Sequence, residues 1–160
     1  MAEQGSPQEK NMTQKLGKRG LAANAAIFDQ VGGILLVKHT YDRKNWELPG
    51  GMAEVDESIV ETAVREVREE TGLQVEAQHT TGIYYMLELD LLVLVFMCKT
   101  IDGGFEVLNP DNDEISACAF WPLDALPRPI SDFTIRRIND AAAGVCLPLP
   151  SEVLPRRWFF

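Results

Sequence analysis

The chain has 160 residues and a mass of 17.9 kDa, which suits one domain with a sizeable core. Its 24 acidic against 15 basic residues give a net charge of −9. That balance argues against a general nucleic-acid-binding surface, which needs a basic face, but it leaves room for a small anionic substrate if a divalent metal supplies positive charge locally.

Residues 1–20 are polar, lack the apolar run of a signal peptide and read as a flexible N-terminal segment. Leu21 to Phe28 and Gly33 to Val37 are apolar runs split by Asp29-Gln30-Val31-Gly32, which predicts strand–turn–strand. A polar and aromatic loop from Lys38 to Trp46 leads into a turn at Leu48-Pro49-Gly50-Gly51. Ser58 to Thr71 is the strongest helix. Ser58 with Glu61 makes a capping-box signature, and Gly72 stops the helix.

Leu73 to Tyr85 and Leu91 to Cys98 read as strands. The second is the longest apolar run, and it is far too short to span a bilayer. Ile101 to Asp113 is a loop rich in Gly, Asn and Asp. Ala117 to Trp121 is a further strand, ended by Pro122. Ser131 to Ala143 is a second helix, with Ile130, Phe133, Ile135 and Ile138 in its apolar stripe and Arg136 and Arg137 toward water.

The domain is thus expected over residues 21–145, with a Pro- and aromatic-rich C-terminal tail over 146–160. The tail ends Trp158-Phe159-Phe160, three bulky aromatics that should dock on the domain itself or on a second copy in a homodimer. The strand-rich order lacks the steady alternation of a doubly wound sheet. It predicts a mixed α+β domain with helices on the faces of a mixed β-sheet. Cys98, Cys118 and Cys146 are odd in number and show no CxxC spacing, so buried reduced thiols and a cytoplasmic location are expected.

On a wheel of about 100° per residue, the first helix gathers Val60, Ala63, Val64 and Val67 on its core face. Glu66, Glu69 and Glu70 line one flank, at i, i+3 and i+4. Glu61, Arg65 and Arg68 line the other. Glu61 and Arg65 suit an ordinary ion pair, whereas Glu66 and Glu70 have no base three or four positions away. The flank is either a solvated charged face or a cation site. Hard oxygen ligands without His or Cys suit Mg²⁺ or Mn²⁺ rather than zinc.

The stretch Gly51 to Leu73 resembles the signature box of the Nudix hydrolases, G-x5-E-x7-R-E-U-x-E-E-x-G-U, with U a bulky aliphatic residue. Gly51, Glu57, Arg65, Glu66, Val67, Glu69, Glu70, Gly72 and Leu73 fill every specified position. The resemblance implies an α/β/α sandwich with a mixed sheet between helices. It also implies a metal-dependent hydrolase that cleaves the diphosphate of a nucleoside diphosphate linked to another moiety, X.

By the same resemblance, Glu66, Glu69 and Glu70 are metal ligands with the carbonyl of Gly50, and Glu57 and Arg65 support them. Glu114, in the loop beyond the box, is a further ligand or the general base, with Glu66 the other candidate for base. Lys38 stands where the family often places a cation near phosphate. The competing expectation is a non-catalytic Nudix-fold module that binds a nucleotide or RNA. Such a module should have lost box glutamates, and this box keeps all of them. Substrate markers are missing: no SQPWPFP array follows the box, and Leu87-Glu88-Leu89 stands where ADP-ribose hydrolases often carry a proline. Tyr41, Trp46, Tyr84 and Phe105 are the aromatics available to stack on a base, while His39 and His79 are isolated.

Overall fold

The computed structural model describes residues 19–107, 113–153, 155 and 157–159. Apart from Arg19 and Gly20, the expected flexible N-terminal segment lies outside the described residues, as do Asp111 and Phe160. The elements run β1 (Gly20–Ala26), β2 (Ile34–His39), β3 (Trp46–Glu47), β4 (Gly50–Met52), α1 (Ile59–Thr71), β5 (Val75–Met86), a 3₁₀ turn (Leu87–Leu89), β6 (Leu91–Thr100), β7 (Ile115–Trp121) and α2 (Asp132–Ala142).

The strands form two sheets rather than the single sheet expected. One has the order β4-β1-β6-β5 and is mixed, since β1 and β6 run parallel and the other pairs antiparallel. The other, β3-β2-β7, is antiparallel. The expected strand–turn–strand is present at its tip. Asp29 Oδ1 accepts from the Val31 and Gly33 N–H groups at 3.0 and 2.7 Å, and Phe28 bridges Ile34. The strands then part, because β4 and β6 already fill both edges of β1.

Both faces of this layer are buried, which explains the near-continuous apolar runs. Leu35, Val37, Ala23, Ala25 and Phe96 pack with Ala63 and Val67 of α1. Their alternate neighbours Ile34, Leu36, Ala26 and Val95 pack with Ile138 and Ala141 of α2. Each fully buried Val or Leu side chain contributes about 1.5–3 kcal/mol. The sandwich of sheets between two helices is the expected architecture.

Helix α1 begins as its sequence dictates. Ser58 Oγ accepts from the Glu61 N–H, and Glu61 Oε2 accepts from the Ser58 N–H at 2.8 Å. Gly72 ends it at a φ of 75°, with its N–H donating to the Arg68 carbonyl. Glu61 is therefore committed to the cap and not to the Arg65 pair expected from spacing.

Helix α2 differs more. Arg137 does not face water: it is only 3% exposed. Its position four residues from both Phe133 and Ala141 puts it on the inward face. The start of the tail lies against the domain. Leu147 exchanges backbone hydrogen bonds with Thr80 at 2.8 and 2.9 Å, and Leu149 packs on the α1-side core. Trp158 and Phe159 are 69% and 93% exposed. Cys98 and Cys118 are buried free thiols as expected, whereas Cys146 is exposed. Among the described residues no helix is long and apolar enough to cross a membrane.

Candidate active site

Arg65 organises the box. Its Nε donates to Glu57 Oε1 at 2.7 Å, and its Nη2 donates to Glu57 Oε2 and the Met52 carbonyl, both at 3.1 Å. Its Nη1 donates to Glu66 Oε1 at 2.8 Å and to Glu69 Oε2 at 3.1 Å. One guanidinium thus ties the loop before α1 to two carboxylates of its flank. Glu66 does have a basic partner, its immediate neighbour, which a search at three and four positions overlooks. Arg65 holds the Glu57 carboxyl down at about 2, with further help from the Glu54 N–H and the Thr62 hydroxyl.

Glu70 stands apart from this cation. It is only 7% exposed, and its Oε2 accepts from the Gly50 N–H at 2.8 Å. Burial pushes its carboxyl up to about 8. The Gly50 hydrogen bond opposes the rise, and the charges of Glu66, Glu114 and Glu47 add to it. Burial also raises Glu66, against the pull of Arg65. The Cys118 thiol of β7 is pushed up to about 11 by burial and by the charge of Glu70.

Glycine is required where the β4 backbone meets these acids. A Cβ on Gly51 would collide with the Glu66 carboxylate, and one on Gly50 with the Ala23 carbonyl and with Asn24.

The second contributor is the end of β7. Between Lys38 and His39 the β2–β7 register slips by one residue, leaving Ser116 as a bulge. Thr40 then clamps the chain before it. Its N–H donates to the Glu114 carbonyl at 2.9 Å, and its hydroxyl contacts the Asp113 carbonyl. Glu114 is thereby held where its charge acts on Glu66, Glu70, His39 and Tyr41.

The His39 and Tyr41 rings stack at 4.8 Å beside this cluster, which gives His39 a neighbour the sequence did not suggest. Trp46 is buried against Trp121, Tyr84 packs edge-on to Phe133 with its hydroxyl on Asp140, and Phe105 packs on Phe120. The Lys38 ammonium lies over the Trp46 ring at 5.9 Å.

Among the described residues no three acidic, His or Cys side chains close into a ready metal cage. Arg65 Nη1 donates to both Glu66 and Glu69 and serves as their cation. The residues nonetheless fit a hard divalent ion. The donors are all oxygens, and Glu70 is a buried carboxylate whose neighbours are negative.

A family model described as the NUDIX domain matches residues 18–140. The chain belongs to the Nudix family. It is a Nudix pyrophosphohydrolase, of a family that generally uses divalent metal ions and acts on nucleotide-derived small molecules. Over 120 residues this Nudix chain is 38% identical to a MutT-like protein of Streptomyces ambofaciens, covering 75% of each. It is 31% identical to an ADP-ribose pyrophosphatase of Methanocaldococcus jannaschii, covering 64% of this chain and 62% of that one. The solved ADP-ribose pyrophosphatase of Streptococcus suis superposes with a TM-score of 0.66 at 30% identity, covering 81% of this chain and 96% of that one.

The Thr40 clamp has no signal in the sequence, since it joins residues 73 positions apart. Arg137 does carry a signal of its burial, since it falls at helical spacing within the apolar stripe.

Proposed function

We propose that this chain hydrolyses the diphosphate linkage of a nucleoside diphosphate joined to a moiety X, releasing a nucleotide and a phosphorylated X, with Mg²⁺ or Mn²⁺ as cofactor. Glu66, Glu69 and Glu70 with the Gly50 carbonyl would hold the metal, joined by Glu114 from the β7 end. A bound divalent ion would neutralise the diphosphate oxygens and lower the pKa of a water. Arg65 and Glu57 fix the carboxylates against the loop, which a ligand set needs to keep its orientation.

Glu66 is the first candidate for general base. Burial raises its proton affinity toward the range a base requires. Glu114 is the second. Lys38, at the end of β2, would contact a substrate phosphate after leaving Trp46. The free buried thiols Cys98 and Cys118 support a cytoplasmic location.

The observation that carries the reading is Glu70. A carboxylate this buried, among negative neighbours and held by a backbone N–H, is unfavourable without a cation and useful with one. The test is turnover of a substrate panel with Mg²⁺ and with Mn²⁺. ADP-ribose heads the panel because two of the relatives above carry its name, followed by nucleotide sugars and dinucleoside polyphosphates. Metal-dependent release of a nucleoside monophosphate is expected. Binding of nucleotides without turnover of any of them would favour the non-catalytic module.

A further inference from the structure

Arg137 is a buried cation that the proposed chemistry does not use. Its polar contacts among the described residues lie inside the protein, Nη2 to Thr134 Oγ1 at 3.3 Å among them. Nη2 donates to Glu47 Oε1 and Oε2 at 2.8 and 2.9 Å, Nη1 to Asn24 Oδ1 at 2.8 Å, and Nε to the Phe133 carbonyl at 3.3 Å. Thr134 Oγ1 donates to Glu47 Oε2 at 2.8 Å, and the guanidinium covers the Phe133 ring at 4.0 Å.

The two side chains that Arg137 holds both end on the backbone of one residue, Leu48. Asn24 Nδ2 donates to the Leu48 carbonyl at 3.2 Å, and Glu47 Oε1 accepts from the Leu48 N–H at 2.8 Å. The next carbonyl, that of Pro49, accepts from the Ala25 N–H at 2.9 Å. The next N–H, that of Gly50, donates to Glu70. Asn24 is also the register partner of Gly50, and a Cβ at Gly50 would have no room beside it. A displacement of Asn24 is therefore felt at Gly50 directly.

We propose that Arg137 is a positioning residue for the metal site: through Asn24 and Glu47 it fixes the Leu48–Pro49–Gly50 turn, and so sets the Gly50 backbone against Glu70. The assignment rests on the reading of Gly50 and Glu70 as metal ligands. It gives α2, on the far face of the sheets, a part in a site carried by α1 and β4. It also supplies a reason for a charge that costs desolvation to bury.

Two variants test it. Arg137→Lys keeps the positive charge but lacks the planar fork that reaches Asn24 and both Glu47 oxygens together. Asn24→Ala leaves the Arg137–Glu47 pair whole and cuts the link to the Leu48 carbonyl. In both, Mn²⁺ titrated by calorimetry should bind about 10–100-fold more weakly. The Gly50 amide of the metal-free protein should exchange its hydrogen faster by NMR, and kcat at saturating Mn²⁺ should return toward that of the parent.

A folded variant with parent-like Mn²⁺ affinity and parent-like Gly50 exchange overturns the proposal. Should Arg137→Lys fail to fold, Asn24→Ala decides alone. Glu70→Gln is the control: parent-like Mn²⁺ affinity there would overturn the metal-site reading itself. Gly50 exchange, read without metal, still judges the tether.

Discussion

Glu70 and Glu57 pull the stability of the metal-free protein in opposite directions with pH. The folded Glu57 carboxyl is held near 2, below its ordinary 4.5. Its contribution is therefore fully present above about 4.5 and is lost as pH falls toward 2. The folded Glu70 carboxyl is raised from 4.5 to about 8, so the folded state keeps a proton that the unfolded state has released. Stability must then fall as pH rises from about 4.5 to about 8. Thermal unfolding across that range should show this decline without metal, and saturating Mg²⁺ should largely remove it. Glu70→Gln should flatten the metal-free decline while lowering turnover by orders of magnitude, and Glu66→Gln should lower turnover as far with the fold intact. Full activity in either variant would sink the site assignment. The two glycines before α1 separate chemistry from folding. Gly51→Ala displaces the Glu66 carboxylate, which Arg65 holds, so activity should fall about a hundredfold with a smaller loss of Tm. Gly50→Ala meets the backbone of Ala23 and Asn24, so Tm should fall as well.

At the scale of elements, α1 is the one whose start, end and inward face follow directly from its own residues. The Ser58 cap, the Glu61 return bond and the Gly72 stop are local interactions that need no partner from elsewhere in the chain. Ser58→Ala should cost about 1 kcal/mol, read as a lower denaturant midpoint with an unchanged slope. β3 and β4 were not legible, because two- and three-residue strands have no period to read. Trp46–Glu47 and Gly50–Met52 become strands only when β2 and β1 offer edges to pair with. The Ser116 bulge was likewise invisible. It is a mismatch between β7 and β2, not a property of either strand alone.

For the whole molecule, the segment after α2 matters more than composition suggested. Leu147 pairs with Thr80, and the Thr80 hydroxyl donates to the Pro148 carbonyl at 2.9 Å, so the chain just beyond residue 145 is tied to β5. Truncation after Gly144 should lower Tm, because β5 loses that partner and the core loses Leu149. The last aromatics behave differently. Trp158 and Phe159 stand largely exposed, and docking against a second copy is one of the two roles expected of them. Removing residues 156–160 should reduce the mass measured by light scattering from dimer to monomer, and an unchanged mass would count against that role.

The residues alone determined α1, its caps and the order of its glutamates, because helix periodicity and capping are set within a few neighbours along the chain. The same local pattern carried the family resemblance, and with it the class of bond that is cut. What local pattern could not reach is whatever depends on residues far apart meeting. The division into two sheets followed from both edges of β1 being filled. The partner of Arg65 changed because Glu61 is spent on the cap and Glu57 folds back. Arg137 moved from water to the interior because Asn24 and Glu47, distant in sequence, satisfy a charge that would otherwise be too costly to bury. Tertiary structure decided which carboxylates lie beside Arg65 and which, like Glu70, are buried against a backbone N–H instead.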